Sequence, residues 1–384
     1  MNGTVLRAVT IVGARVLGAS GAFTRRTVAI EAGRFTGFRA GSAAAEVLDA
    51  TEMWVIPGVY DCHAHISWND FHAADRARRS LHERTRQSIE ALVATLHSGV
   101  TSMRDAGGAD AELRDAVATG RLVGPRMQIA IDMFDASHAG GPDKMAALVA
   151  SAVDRGAEWI KLIATAGVAT PDDAALKSHF SRDEIFTAVE IAARGGARAM
   201  VHTWGGDSID WAIESGAASI EHGIYITRNQ VVAAAAAGMT LVPTLTIYRL
   251  LRDMVLNAEL DGVALDRIND VIAAHQKVIP LAQQAGLALA VGSDFSTPQQ
   301  HGRNLAEIGA LLRAGLTPGE ALLAATRNGA RLFNDPDGGV IAPGYRADAV
   351  ILSADPADPT TFERPDSVAA VIQAGKVVHR STRV

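Results

Sequence analysis

Cysteine is almost absent: Cys62 is the only one in 384 residues. That excludes an intrachain disulfide and any cysteine-rich zinc site, and Cys62 itself reads as a buried apolar thiol. Aromatic residues are scarce, at 5%. Basic runs are missing and the formal net charge is −6, so nucleic acid would find no electrostatic footprint. No apolar stretch reaches the length of a membrane-spanning helix. The N-terminus, MNGTVLRAVTIVGARVL, alternates like a strand and lacks the charged start and long apolar run of a signal peptide. These absences predict a cytoplasmic protein that binds neither nucleic acid nor membrane. What the chain does have is apolar material, 48% against 20% charged. That suffices for a sizeable core in one large domain, or in a large domain with a small one.

The text changes character twice. Residues 1–57 read as short strands with turns, among them TVAIEAGRFTGFR, EVLDA and WVIPG. From residue 58, short apolar runs alternate with longer helix-like stretches such as ADRARRSLHERTRQSIEALVATLHSG and SRDEIFTAVEIAARGG. The runs are VYDCHAH, GVTSMRDAG, RMQIAIDMF, EWIKLIAT, RAMVHTW, SIEHGI, TLVPTL and LALAVGSDF. This alternation predicts an α/β fold, a (β/α)8 TIM barrel over residues 58–340. After residue 340 the text returns to strands, GVIAPGYRADAVILS and SVAAVIQAGKVVHR. These pair most simply with residues 1–57, giving a small β-sandwich domain from 1–57 plus 341–384.

Active sites of such barrels lie at the C-terminal ends of the strands. The first run carries His63 and His65 there, the fourth Lys161, the fifth His202, the sixth His222 and the eighth Asp294. Strand alternation places Asp61, His63 and His65 on one face and Cys62 on the other, with Asp61 able to orient the imidazoles. Each residue has a bland account on its own: a satisfied core histidine, an edge lysine, a helix-capping aspartate. Six at the mouth of one barrel do not. Four imidazoles and a carboxylate suit Zn²⁺ or a similar divalent ion. An ammonium would repel cations, but a buried lysine loses its proton readily. The neutral amine can take up CO2 to become a carbamate, an anionic two-oxygen bridge. The alternative for Lys161 is an ion pair with Asp294 in a metal-free or one-metal barrel.

With these residues in place, the chain resembles the amidohydrolase superfamily in its binuclear, carboxylated-lysine form, over essentially its whole length. PGVYDCHAH and GVTSMRDAGG are similar to the family's first two strand segments, and GGVIAPGYRADAVIL to the segment leading back to the terminal sheet. IKLIATAG, SIEHG and PTL resemble the imidazolonepropionase-like branch, which includes metal-dependent prolidase-like dipeptidases and hydrolases of N-acyl or aryl amides. The resemblance implies two divalent metal ions: His63, His65 and Asp294 hold one, His202 and His222 the other, and carboxylated Lys161 bridges them. It implies a shared hydroxide that attacks an amide carbonyl, with Asp294 passing the proton to the leaving amine. His138, in ASHAGG, falls where relatives place a substrate-contacting histidine. Tyr225 and Tyr248 can donate to an oxyanion. One position departs: where many relatives carry a second histidine after the fifth strand, this chain has Trp204.

The expected reaction is metal-dependent hydrolysis of a peptide-like, N-acyl or aryl amide. The alternatives are a mononuclear deaminase and a hydrolase of a cyclic amide, lactone or carbamate. Mononuclear deaminases of the superfamily usually lack the lysine and carry a glutamate where this chain has Gly205. A non-enzymatic scaffold would have lost ligands. Trp68, Phe71, Phe134, Trp204, Tyr225, Tyr248 and Phe295 all follow strand ends. They predict a small-molecule substrate with an apolar or aromatic group, contacted by Trp68, His138, Trp204, Tyr225 and Tyr248. Homo-oligomerisation is left open.

Overall fold

The structure is a computed structural model, describing residues 8–39, 41–42, 45–70, 73–167, 176–257, 259–260 and 264–384. Phe71 lies outside the described residues. Five strands come first: β1 (Val9–Leu17), β2 (Phe23–Glu31), β3 (Arg34–Gly37), β4 (Glu46–Asp49) and β5 (Trp54–Pro57). The central strands are β6 (Val59–Ala64), β7 (Val100–Asp105), β8 (Arg126–Ile129), β9 (Met133–Phe134), β10 (Trp159–Ile163), β11 (Arg198–Thr203), β12 (Ser219–His222), β13 (Thr240–Val242) and β14 (Ala288–Leu289). The last are β15 (Ala349–Leu352), β16 (Val368–Gln373) and β17 (Lys376–Arg380).

The first five strands and the last three form one sheet, ordered β17-β16-β15-β5-β1-β2-β3, with β4 also on β1. It branches at β1, whose Val9–Val12 half pairs with β4 while Arg15 and Val16 pair with β5. The two chain ends meet where β5 runs antiparallel to β15, with Val350 opposite Ile56. The strands from both chain ends thus lie in one branched sheet. Ile11, Val28, Leu48, Val55, Ile351 and Ile372 form its own buried core.

The central strands are all parallel, in two sheets: β14-β13-β12-β11-β10-β9 and β6-β7-β8. Backbone bonds link the two at both edges. Cys62 N donates to Val291 O (2.7 Å), and Glu158 N donates to Ile129 O (3.0 Å). The third apolar run splits into β8 and β9 around Ile131, which takes a left-handed φ of 64°. Helices flank these strands. The 74–99 stretch breaks into Ala73–Arg78 and Leu81–His97, because Ser80 caps the second helix by accepting from Glu83 N. Met103, Ile160, Val201 and Ile220 from the strands pack with Leu92, Ile185, Val231 and Ile279 from the helices. A second cluster gathers Tyr60, Cys62, Trp159, Met200 and Val242, closed by Leu332 and Phe333. Among the described residues no helix is long and apolar enough to cross a membrane.

Candidate metal centre

Six side chains from five strand ends converge. Ligand atoms of His63, His222 and Asp294 lie within 4.8 Å of one another. Asp294 Oδ1 is 3.4 Å from Nε2 of both His63 and His65. Lys161 Nζ stands 2.9 Å from His63 Nε2. His202 packs edge-on to His222 with ring centroids 4.4 Å apart, and His222 is 5.1 Å from His63. His63, His65, Lys161 and His222 are buried. His222 (φ 69°), Thr244 (φ 56°) and Asp294 (φ 55°) are all left-handed without being glycine, a strain that proteins concentrate at functional sites. Gly292 permits the close approach of the 290–295 segment to β6. A Cβ there would stand 2.4 Å from Val242 Cγ1 and 2.7 Å from His63 Cβ.

Each imidazole is supported from its far side. His63 Nδ1 meets Glu221 Oε2 at 2.6 Å, His65 Nδ1 meets the Gly107 carbonyl at 3.0 Å, and His222 Nδ1 meets Thr244 Oγ1 at 2.7 Å. The Ala166 carbonyl accepts from the His202 ring, whose Nε2 is buried with no hydrogen-bond partner. Burial, then the Lys161 charge, depresses His63 well below the usual imidazole range and His202 to about 3. Burial and the neighbouring His202 lower His222 as well. These three rings are therefore neutral, the state metal ligation needs. Burial pulls the Lys161 amine down to about 8, against the pull of Glu221 and Asp294. Burial alone would raise Asp294, but His63, His65 and Lys161 outweigh it and hold a carboxylate. Anchored neutral imidazoles, an orphaned Nε2, a carboxylate and a deprotonatable amine fit divalent metal.

One sequence expectation fails here. The β6 register shifts between Asp61 and Ala64, so strict alternation does not hold. Asp61 does not orient the imidazoles. Its carboxylate accepts from Ser293 Oγ (2.6 Å), Asn304 Nδ2 (2.9 Å) and the backbone of His63 (3.2 Å). Lys161 makes its close contact with His63 rather than an ion pair with Asp294. The carboxylate that reaches an imidazole is Glu221, missed in sequence. It is fully buried and also accepts from Arg104 Nη2 (2.8 Å) and Ser219 Oγ. Arg104, equally buried, is stacked over Trp159. Opposite charges inside two apolar strand runs were the available signal.

The expected substrate residues separate. Trp68 stacks on His65 at 4.7 Å. Trp204 and Tyr248 are buried with Ile224, Ile247 and Phe295, and the Tyr248 ring is 6.1 Å from that of His222. Tyr225 keeps 37% exposure. Phe134 is core. His138 stands half-buried against Asp135 and Phe134; among the described residues, no hydrogen bond or ring contact joins it to the histidine cluster.

The Amidohydrolase family profile matches residues 54–378. The chain is 28% identical to an ochratoxinase of Aspergillus niger over 375 residues, covering 84% of this chain and 75% of that one. It is 27% identical to an imidazolonepropionase of Deinococcus deserti, covering 81% and 80%. A crystal structure of a prolidase complexed with N-methylphosphonate-L-proline superposes with a TM-score of 0.88 at 27% identity, covering 97% of this chain and 100% of that one. On these likenesses and this donor set, the chain belongs to the amidohydrolase family and is a metal-dependent hydrolase of amide C–N bonds.

Proposed function

We propose that this enzyme cleaves the amide bond of a peptide-like, N-acyl or aryl amide with two Zn²⁺-like ions held by His63, His65, Asp294, His202, His222 and carboxylated Lys161. The observation that carries this reading is the Lys161 amine among neutral imidazoles, 2.9 Å from His63 Nε2. Such an amine exchanges its proton near neutrality. It adds to CO2 with loss of one proton, giving a carbamate whose single negative charge suits a site already rich in neutral donors. When bound, the ions activate water and polarise the scissile carbonyl. Asp294 takes up the water's proton and returns it to the departing amine. Tyr225, partly exposed beside Trp204, supplies a hydroxyl toward the carbonyl oxygen, and His138 binds the substrate's far end.

Bonds at both edges of the two parallel sheets, and the inner cluster they enclose, support one closed (β/α)8 barrel over 58–340. Residues 1–57 and 341–384 form the second unit. Trp68 on His65, Tyr248 near His222, and Trp204 against Tyr248 and Tyr225 support an apolar or aromatic group on the substrate. The relatives' substrates, an ochratoxin and prolyl peptides by their names, set the first panel: N-acyl aromatic amino acids, Xaa-Pro dipeptides and aryl amides. The test is metal content with intact mass of the Lys161 peptide. Near two equivalents and one added CO2 are expected. A single ion with unmodified Lys161 in fully active enzyme would replace this reading with the mononuclear one.

A further inference from the structure

Helix Leu245–Leu256 begins directly after Thr244, its N-cap. A threonine hydroxyl at that position ordinarily accepts from the helix's own first turn. Thr244 does not: it is left-handed and makes no side-chain cap bond. Its Oγ1 lies instead 2.7 Å from His222 Nδ1. The helix's orphan donors go to a distant residue. Glu307 Oε1 accepts from Leu245 N (2.7 Å), and Oε2 accepts from Thr246 N (2.8 Å) and Thr246 Oγ1 (2.6 Å).

Glu307 lies in the first turn of helix Ala306–Arg313 and is fully buried. A buried carboxyl is costly unless its oxygens are bonded. Here both oxygens are used, and all three donors come from one helix start. Glu307 thus does the capping that Thr244 gives up, which releases the Thr244 hydroxyl for His222. The backbone of His222 is held separately, since His275 Nε2 donates to its carbonyl at 2.9 Å. The same helix start carries Tyr248 toward the His222 ring.

We propose that Glu307 is a positioning residue for His222. It fixes the start of helix Leu245–Leu256, keeps Thr244 left-handed, and so aims Oγ1 at Nδ1. Thr244 would then accept a hydrogen bond from Nδ1–H, leaving the Nε2 lone pair free to bind a metal ion. The proposal rests on the reading above that His222 is a ligand.

The experiment compares Glu307→Gln, Glu307→Ala, Thr244→Val, Thr244→Ser and the double variant Thr244→Val/Glu307→Ala, with His222→Ala as reference. Zn²⁺ affinity is measured by competition with a chelating dye, alongside stoichiometry and thermal melting. Thr244→Val and Glu307→Ala should each weaken the second Zn²⁺ roughly 10–100-fold, the usual effect of losing a ligand's outer partner. Thr244→Ser should restore wild-type affinity. The double variant should be no weaker than the weaker single one, because both break one path. Glu307→Gln retains side-chain volume and one acceptor, and Thr244→Val reads the last link with Glu307 intact, so misfolding of Glu307→Ala does not remove the test. If His222→Ala loses Zn²⁺ but folded Glu307→Gln and Glu307→Ala bind within twofold of wild type, the positioning role is overturned. Additive losses in the double variant overturn it too. A full Zn²⁺ complement in His222→Ala overturns the ligand reading itself.

Discussion

Replacing Glu221 by glutamine tests how the centre is held. The Glu221 carboxylate accepts from Arg104 Nη2 at 2.8 Å and from Ser219 Oγ on one oxygen, and meets His63 Nδ1 at 2.6 Å with the other. All three side chains on the path, His63, Glu221 and Arg104, are buried. Glutamine keeps the volume but has one accepting oxygen. Its NH2 must face either the Arg104 guanidinium or the Nδ1–H of His63, donor against donor. Whichever way it faces, the neutral amide leaves the buried Arg104 cation without its anion, which costs about 3–5 kcal/mol. Facing His63, it favours the opposite tautomer and costs roughly 10–100-fold in metal affinity. Glu221→Gln should therefore lose stability, metal affinity or both. Chelator competition reads the affinity and urea unfolding at fixed free Zn²⁺ reads the stability. The pair Glu221→Gln and Arg104→Met should couple strongly in a double-mutant cycle, because Arg104 costs most when its partner is missing. Unchanged stability together with metal affinity within twofold of wild type would refute the reasoning.

Gly292→Ala should destabilise the protein by about 1–3 kcal/mol through overpacking and lower its metal content, since the new Cβ presses on His63 Cβ and backbone; unchanged melting and metal content would count against the close approach. Glu184 accepts from the backbone N–H groups of Gly140, Gly141 and Ser181. Although burial works the other way, those bonds hold its carboxyl at about 2 rather than 4.5. A lowered folded pKa contributes stability above the unfolded value and loses it as pH falls. Discounted for solvent, the wild-type advantage over Glu184→Gln should be on the order of 1–2 kcal/mol at neutral pH and fade from about pH 4.5 toward pH 2. An advantage that does not change with pH in urea titrations would show that the carboxylate is not the source.

The six strand-end residues were legible because two periodicities suffice to find them. Alternating strand and helix text marks the strands, and the C-terminal strand ends mark the mouth. Where those periodicities break, sequence reading breaks with them. The irregular register within β6 took Asp61 away from the histidines it was expected to orient. The left-handed Ile131 divided one apolar run between β8 and β9.

The residues that hold the candidate ligands were illegible for another reason. Arg104 finds Glu221 across 117 positions, and Glu307 finds Leu245 across 62. No local pattern encodes those distances. What the sequence does expose is the cost. A charged residue inside an apolar strand or in the first turn of a core helix must be bonded once buried, so Arg104, Glu221 and Glu307 each required a partner before any partner could be named. In this chain, two of the three lead to a candidate ligand: Glu221 directly to His63, and Glu307 through Thr244 to His222. Arg104 secures the first of these. The buried charges left unexplained by strand and helix periodicity are therefore where the support of the candidate metal centre is found.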